Sequence, residues 1–197
     1  MSIALRGPRP LRALATMIAA IAIAPAAASA APIPVTGTST AVAPDAGLVS
    51  ALTSLGASVK LTGAASSDSA GRFVFPVTGG ALTPELAGTV NHTGGLEFRA
   101  KSGIKFGIRS FTIDTRKGAQ LTAIPTLGGY SLGIRVPVAT IENVAVAPGA
   151  GGATLVSGTL KLTDIGALYI NLFLGTSAVK RGTVFGAAEA TVTLAAS

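Results

Sequence analysis

The 197-residue chain carries 15 Lys and Arg against 8 Asp and Glu, has one histidine and no cysteine or tryptophan, and reaches a mean hydropathy of +0.61. Without cysteine there is no disulfide framework and no thiolate metal site, so any core must be stable through apolar burial alone. Removing Arg6, Arg9 and Arg12 leaves 12 basic against 8 acidic residues, so the chain beyond them is only mildly basic.

Those three arginines make a basic start, followed by an apolar run, Leu11 to Pro25, and the small residues Ala28-Ser29-Ala30. A basic start, a short apolar segment and a small-residue cleavage motif predict a secretory signal over residues 1–30, with cleavage near Ala30. The run is shorter than the roughly 20 apolar residues a membrane anchor needs and is broken by Thr16 and Pro25. The remainder, 31–197, is the size of one domain, expected to be secreted or held at the cell envelope. An exported chain without cysteine favours a bacterial source.

Residues 31–40 pass from a Pro-rich start into a Thr-rich strand. Leu48, Val49, Leu52 and Leu55 recur at helical spacing, with Pro44 or Asp45 to start a short helix and Gly56 to stop it. A strand at 57–61 and a loop at 63–71 follow. Phe73, Phe75 and Val77 alternate, and Pro76 places their strand at an edge or at its end. Gly79-Gly80 reads as a turn, 88–92 as a strand, His92 to Gly95 as a turn, and 96–100 as the next strand.

Leu96, Phe98, Ile104, Phe106 and Ile108 share one parity, whereas Phe111 and Ile113 have the other. The switch predicts a bulge or break near Arg109-Ser110. Lys117-Gly118 marks a turn, and Leu121, Ala123 and Pro125 close the strand after it. Tyr130, Leu132, Ile134 and Val136 alternate up to Pro137, a strand follows at 140–147, and 149–152 forms a glycine-rich hairpin tip. After a strand at 154–162, Thr163 or Asp164 caps an apolar helix, 165–174, which Gly175 stops.

Val35-Thr36-Gly37-Thr38, a helix and Ser58-Val59-Lys60 echo Val156-Ser157-Gly158-Thr159, a helix and Ala178-Val179-Lys180. Two strand–helix–strand units bracketing a meander predict a mainly β fold: an antiparallel sandwich or barrel-like meander, its open ends covered by two short helices.

The segment FPVTGGALTPELAGTVNHTGGLEF, with Ser110 to Asp114 and Gly118 to Leu121 after it, resembles the haem-transport-associated (HtaA) domain of actinobacterial surface proteins. The resemblance covers about a quarter of the chain and rests mostly on turn glycines. It implies haem as cofactor, bound in that family by a tyrosine near the start of the domain with a supporting histidine. His92 stands close to the histidine-bearing turn. No tyrosine lies between Ala31 and Phe73, which leaves Tyr130 and Tyr169 as the phenols available.

On its own chemistry His92 is a ligand candidate or a turn histidine bonded to nearby backbone, the second being the commoner case for a lone imidazole. No nucleophile elbow accompanies it and the carboxylates are scattered singly, so a non-enzyme is expected. Arg99, Lys101, Lys105, Arg109, Arg116 and Lys117 hold half the basic residues beyond the signal. They read as a stripe for an anionic cell-wall polymer or membrane surface, or as solvated edge charges. Export and the lack of interleaved aromatics exclude nucleic acid. Three functions follow: an exported non-catalytic binding or structural module of the envelope, a carrier of haem or another hydrophobic small molecule, or a purely structural envelope protein.

Overall fold

The computed structural model describes residues 31–116 and 118–194. The expected signal segment and Lys117 lie outside the described residues. Among them are twelve strands and two α-helices: β1 (Ile33–Pro44), α1 (Ala46–Ser54), β2 (Ser58–Thr62), β3 (Ser66–Ser67), β4 (Phe73–Leu82), β5 (Gly88–His92) and β6 (Gly95–Arg99) form the first half. The second half holds β7 (Lys105–Asp114), β8 (Gln120–Leu127), β9 (Tyr130–Ser131), β10 (Val136–Pro148), β11 (Thr154–Leu162), α2 (Asp164–Leu174) and β12 (Val184–Leu194). No helix among the described residues is long and apolar enough to cross a membrane.

The strands pair antiparallel in the order β7-β5-β4-β1-β12-β11-β10-β8, and β8 returns to β7, closing an eight-stranded barrel. The mainly β, barrel-like expectation therefore holds, and closure leaves these eight strands no long free edge. β6 and β2 extend from the first half of β7, β9 from β8 and β3 from β4.

Alternation sets the interior. On β12, Ala188, Ala190 and Val192 turn inward, and on β1 Val42 and Thr40 do the same. A large apolar cluster around Phe75, Phe106, Phe111 and Leu160 fills the middle and one end. A smaller one, with Val35, Leu82, Val90 and Val192, fills the other.

Both helices lie at the same end, whereas the repeat pattern predicts one over each opening. β1 and β11 flank β12, each antiparallel to it, so they run in the same direction and each leads directly into its helix. Asp45 caps α1 by accepting from the Leu48 amide at 2.9 Å, and Thr163 caps α2 by accepting from Gly166 at 3.0 Å. Gly175 stops α2 in the left-handed conformation. In the second repeat unit, 178–180 is irregular; Asn171 holds it by bonding both the Val179 amide and carbonyl, at 3.0 and 2.7 Å.

Three local expectations are corrected. Gly79-Gly80 does not turn: β4 runs on to Leu82, and a Cβ at Gly80 would collide with the Thr89 carbonyl of β5, so glycine here permits close strand approach. The reversal falls at 83–87, where the Thr83 amide bonds the Ala87 carbonyl at 2.9 Å. Pro76 is inside β4 and not at an edge, because the β4–β5 ladder ends irregularly at Val77–Gly79 and asks no N–H of it. Pro137 likewise does not end a strand. It is the second residue of β10, beside a register shift at Pro137–Ala139, and the chain leaves the sheet earlier, after Ser131.

The parity switch on β7 is present: the β7–β8 register shifts between Arg109 and Thr112, with Ser110 at φ 53°. Arg135 donates to the Ser110 carbonyl at 2.6 Å, satisfying an acceptor the ladder has abandoned.

Candidate functional site

The barrel interior beneath α2 holds an apolar cavity of about 50 Å³. Its walls come from alternate residues of the strands, with Phe75, Phe98, Phe106, Phe111 and Phe185 among them, and α2 roofs it with Gly166, Tyr169 and Ile170. Gly166 matters to the roof: a Cβ there would strike the Val138 carbonyl, so glycine lets the first turn of α2 sit directly on β10.

His92 and Tyr169 line this one cavity. His92 is the last residue of β5 and only 5% exposed. Its Nε2 lies 2.7 Å from Thr40 Oγ1 across the interior, while Nδ1 has no hydrogen-bond partner. The bond forms in either direction, Nε2–H donating to Thr40 or the Thr40 hydroxyl donating to Nε2, and in both cases Nδ1 is left without a partner. Burial pushes the imidazole pKa down to about 4. Backbone groups of Phe111 and Val90 oppose this, and neither completes a hydrogen bond to Nδ1. At neutral pH the ring is therefore uncharged.

Tyr169 is half-buried on α2, its ring stacked on Phe106 with centroids 5.3 Å apart. Phe106 also packs against Phe173 at 6.1 Å and Phe98 at 6.2 Å. Tyr130 is elsewhere: it sits on the short β8–β9 hairpin, 82% exposed, and does not line the cavity.

The cations do not form one stripe. Arg99, Lys101 and Lys105 surround the β6–β7 turn at the helical end, and Arg109 is exposed further along β7. Arg116 lies at the opposite end, where its guanidinium pairs with Asp114 at 2.6 Å. Among the described residues no group of three or more His, Asp or Glu side chains could hold a metal ion.

The sequence reading missed Thr40. It is one hydroxyl in a Thr/Ser-rich stretch, and only its shared parity with Val42 marks it as inward. For haem, the donor chemistry fits: an unpartnered imidazole nitrogen and a phenol border one aromatic, apolar wall. The volume does not, because pockets for ligands of that size run to about 300–1,000 Å³. A macrocycle requires the roof to move.

No protein-family model matches this chain, and no curated protein does either. Solved structures do. The C-terminal domain of HtaA from Corynebacterium glutamicum aligns with a TM-score of 0.61 at 19% identity, covering 81% of this chain and 99% of that one. A histidine-to-alanine variant of the same domain, a domain-swapped dimer, aligns with a TM-score of 0.54 at 19% identity, covering 78% and 95%. The heme binding protein HtaB from the same organism aligns with a TM-score of 0.52 at 12% identity, covering 83% and 96%. By fold, this chain is an HtaA-like β-barrel domain.

Proposed function

We propose that this chain is a non-catalytic carrier that takes haem, or a planar hydrophobic molecule of that kind, into the barrel beneath α2. The observation that carries the reading is that His92 and Tyr169 line one apolar cavity, in a barrel that shares the fold of a heme binding protein. Haem supplies an iron able to accept a nitrogen or phenolate ligand. His92 would offer Nδ1 and stay neutral, Thr40 would hold the ring in place, and Phe106 and Phe111 would exclude water. The Leu11 to Pro25 segment and Ala28-Ser29-Ala30 support action outside the cytoplasm.

Titration of the purified chain with hemin tests this. The expected result is a Soret shift that saturates at one equivalent, weakened by His92→Ala and altered by Tyr169→Phe. Tyr130→Phe should leave it unchanged, since that phenol lies away from the cavity. A flat titration removes haem as the ligand.

A further inference from the structure

The helical end of the barrel has a second property, independent of what the interior holds. Of the twelve large apolar side chains exposed among the described residues, ten lie on α1 or its C-cap Leu55, α2, the β6–β7 turn or the β8–β10 segment at this end; Val144 and Val146 are the exceptions. Ile165, Leu168 and Leu172 repeat at spacings of three and four, forming one outward stripe on α2, with Leu168 61% and Leu172 76% exposed. Register joins this stripe to the rim. Phe173 packs on Phe106, Phe106 is paired with Leu127, and Leu127 is paired with the exposed Tyr130. Ile104 stands beside them on the turn before β7, where the Gly128 amide bonds the Lys105 carbonyl at 2.9 Å.

The charge at this end is one-sided. Each carboxylate is engaged: Asp45 caps α1, Asp68 pairs with Arg72 at 2.7 Å, Asp164 with Arg181 at 3.0 Å, and Glu97 with Arg99 at 3.5 Å. Lys101, Lys105 and Lys180 have no ion-pair partner among the described residues. An apolar surface with an exposed tyrosine and an uncompensated cationic surround has the chemistry of a face that lies in a bilayer interface. Two copies meeting through this end would bring their lysines together, which disfavours self-association.

We propose that the α2 end of the barrel docks on a membrane surface of anionic phospholipid, with Leu168, Leu172 and Tyr130 entering the interface and Lys101, Lys105 and Lys180 facing the headgroups. Docking this way sets the outer face of α2, the roof of the cavity, against the bilayer.

Co-sedimentation of the full chain with phosphatidylglycerol vesicles and with phosphatidylcholine vesicles, at low and high salt, tests the proposal. Preferential, salt-sensitive binding to phosphatidylglycerol is expected. Leu168→Ser with Leu172→Ser should cut the bound fraction by about fivefold or more, since interfacial affinity scales with apolar area buried. Lys101→Glu with Lys105→Glu should abolish the lipid preference, and Val144→Ser with Val146→Ser should change nothing. These side chains are exposed, and a thermal melt of each variant verifies folding. The 11–25 segment is common to all variants, so binding that is equal across them overturns the proposal. Loss of a concentration-dependent dimer, with no vesicle binding, overturns it in favour of a second copy.

Discussion

Thr40 Oγ1 and His92 Nε2 meet at 2.7 Å inside the barrel, and both residues are only 5% exposed. Thr40 is paired with Phe75 of the larger apolar cluster on one side and with Ala190 of the smaller on the other. The pair therefore sits at the boundary between the two cores, where neither residue has water to fall back on. Removing one partner should be worse than removing both. Thr40→Val strands a buried imidazole and should lower unfolding free energy by about 1–3 kcal/mol, while Thr40→Ser should recover most of it. Thr40→Val combined with His92→Leu should be closer to wild type than Thr40→Val alone. Urea melts of the four proteins check the ordering.

The same histidine predicts a pH dependence. Burial lowers its pKa from 6.5 to about 4, so between those values the unfolded chain binds a proton that the folded chain does not. Stability is then fully present above about pH 6.5 and declines as pH falls toward 4, by on the order of 3 kcal/mol in total. Carboxylates add their own losses at the acid end, so the informative quantity is the difference from His92→Gln, which should flatten the slope between pH 6.5 and 4.5. An unchanged slope in that variant would locate the titration elsewhere.

Ser110 carries the parity switch of β7 at φ 53°, in the region where a Cβ is unfavourable. Ser110→Gly should stabilise by about 0.5–1 kcal/mol, and Ser110→Val should destabilise by more than that. Arg135→Met should also destabilise, because it leaves the Ser110 carbonyl without its 2.6 Å donor. Denaturant midpoints of the three variants distinguish the effects of strain and of the lost bond.

The bulge was legible in the sequence because a period-2 pattern that changes parity has to insert a residue, whatever the fold. The helix caps at Asp45, Thr163 and Gly175 were legible for the same kind of local reason. What failed was long-range. Gly79-Gly80 is the same dipeptide whether it turns or lets Thr89 approach, and Pro76 and Pro137 are tolerated inside strands only because register shifts fall beside them. The candidate site divided in the same way. His92 stood out by being alone, and Tyr169 as one of only two tyrosines, but their shared cavity depends on α2 folding back over β10. That return is set by contacts between residues about 25 apart, and periodicity carries no record of them.

Gly166 controls that return. Its α-carbon rests against the Val138 carbonyl, and Thr163, one turn earlier, donates to the Pro137 carbonyl at 2.7 Å while its own oxygen caps the helix. Gly166→Ala has no backbone strain to relieve and gains helix propensity, so on a freely exposed helix it would stabilise by about 1 kcal/mol. Here the added methyl meets a carbonyl fixed in a closed barrel, and the helix has to lift. The expected result is a net loss of stability with the barrel intact: a lower melting temperature, unchanged β signal in circular dichroism, and stronger fluorescence of an apolar dye. If α2 is also the route to the interior, hemin should associate faster with Gly166→Ala than with the parent chain. Equal association rates, alongside a confirmed loss of stability, would mean that the ligand enters without moving this helix.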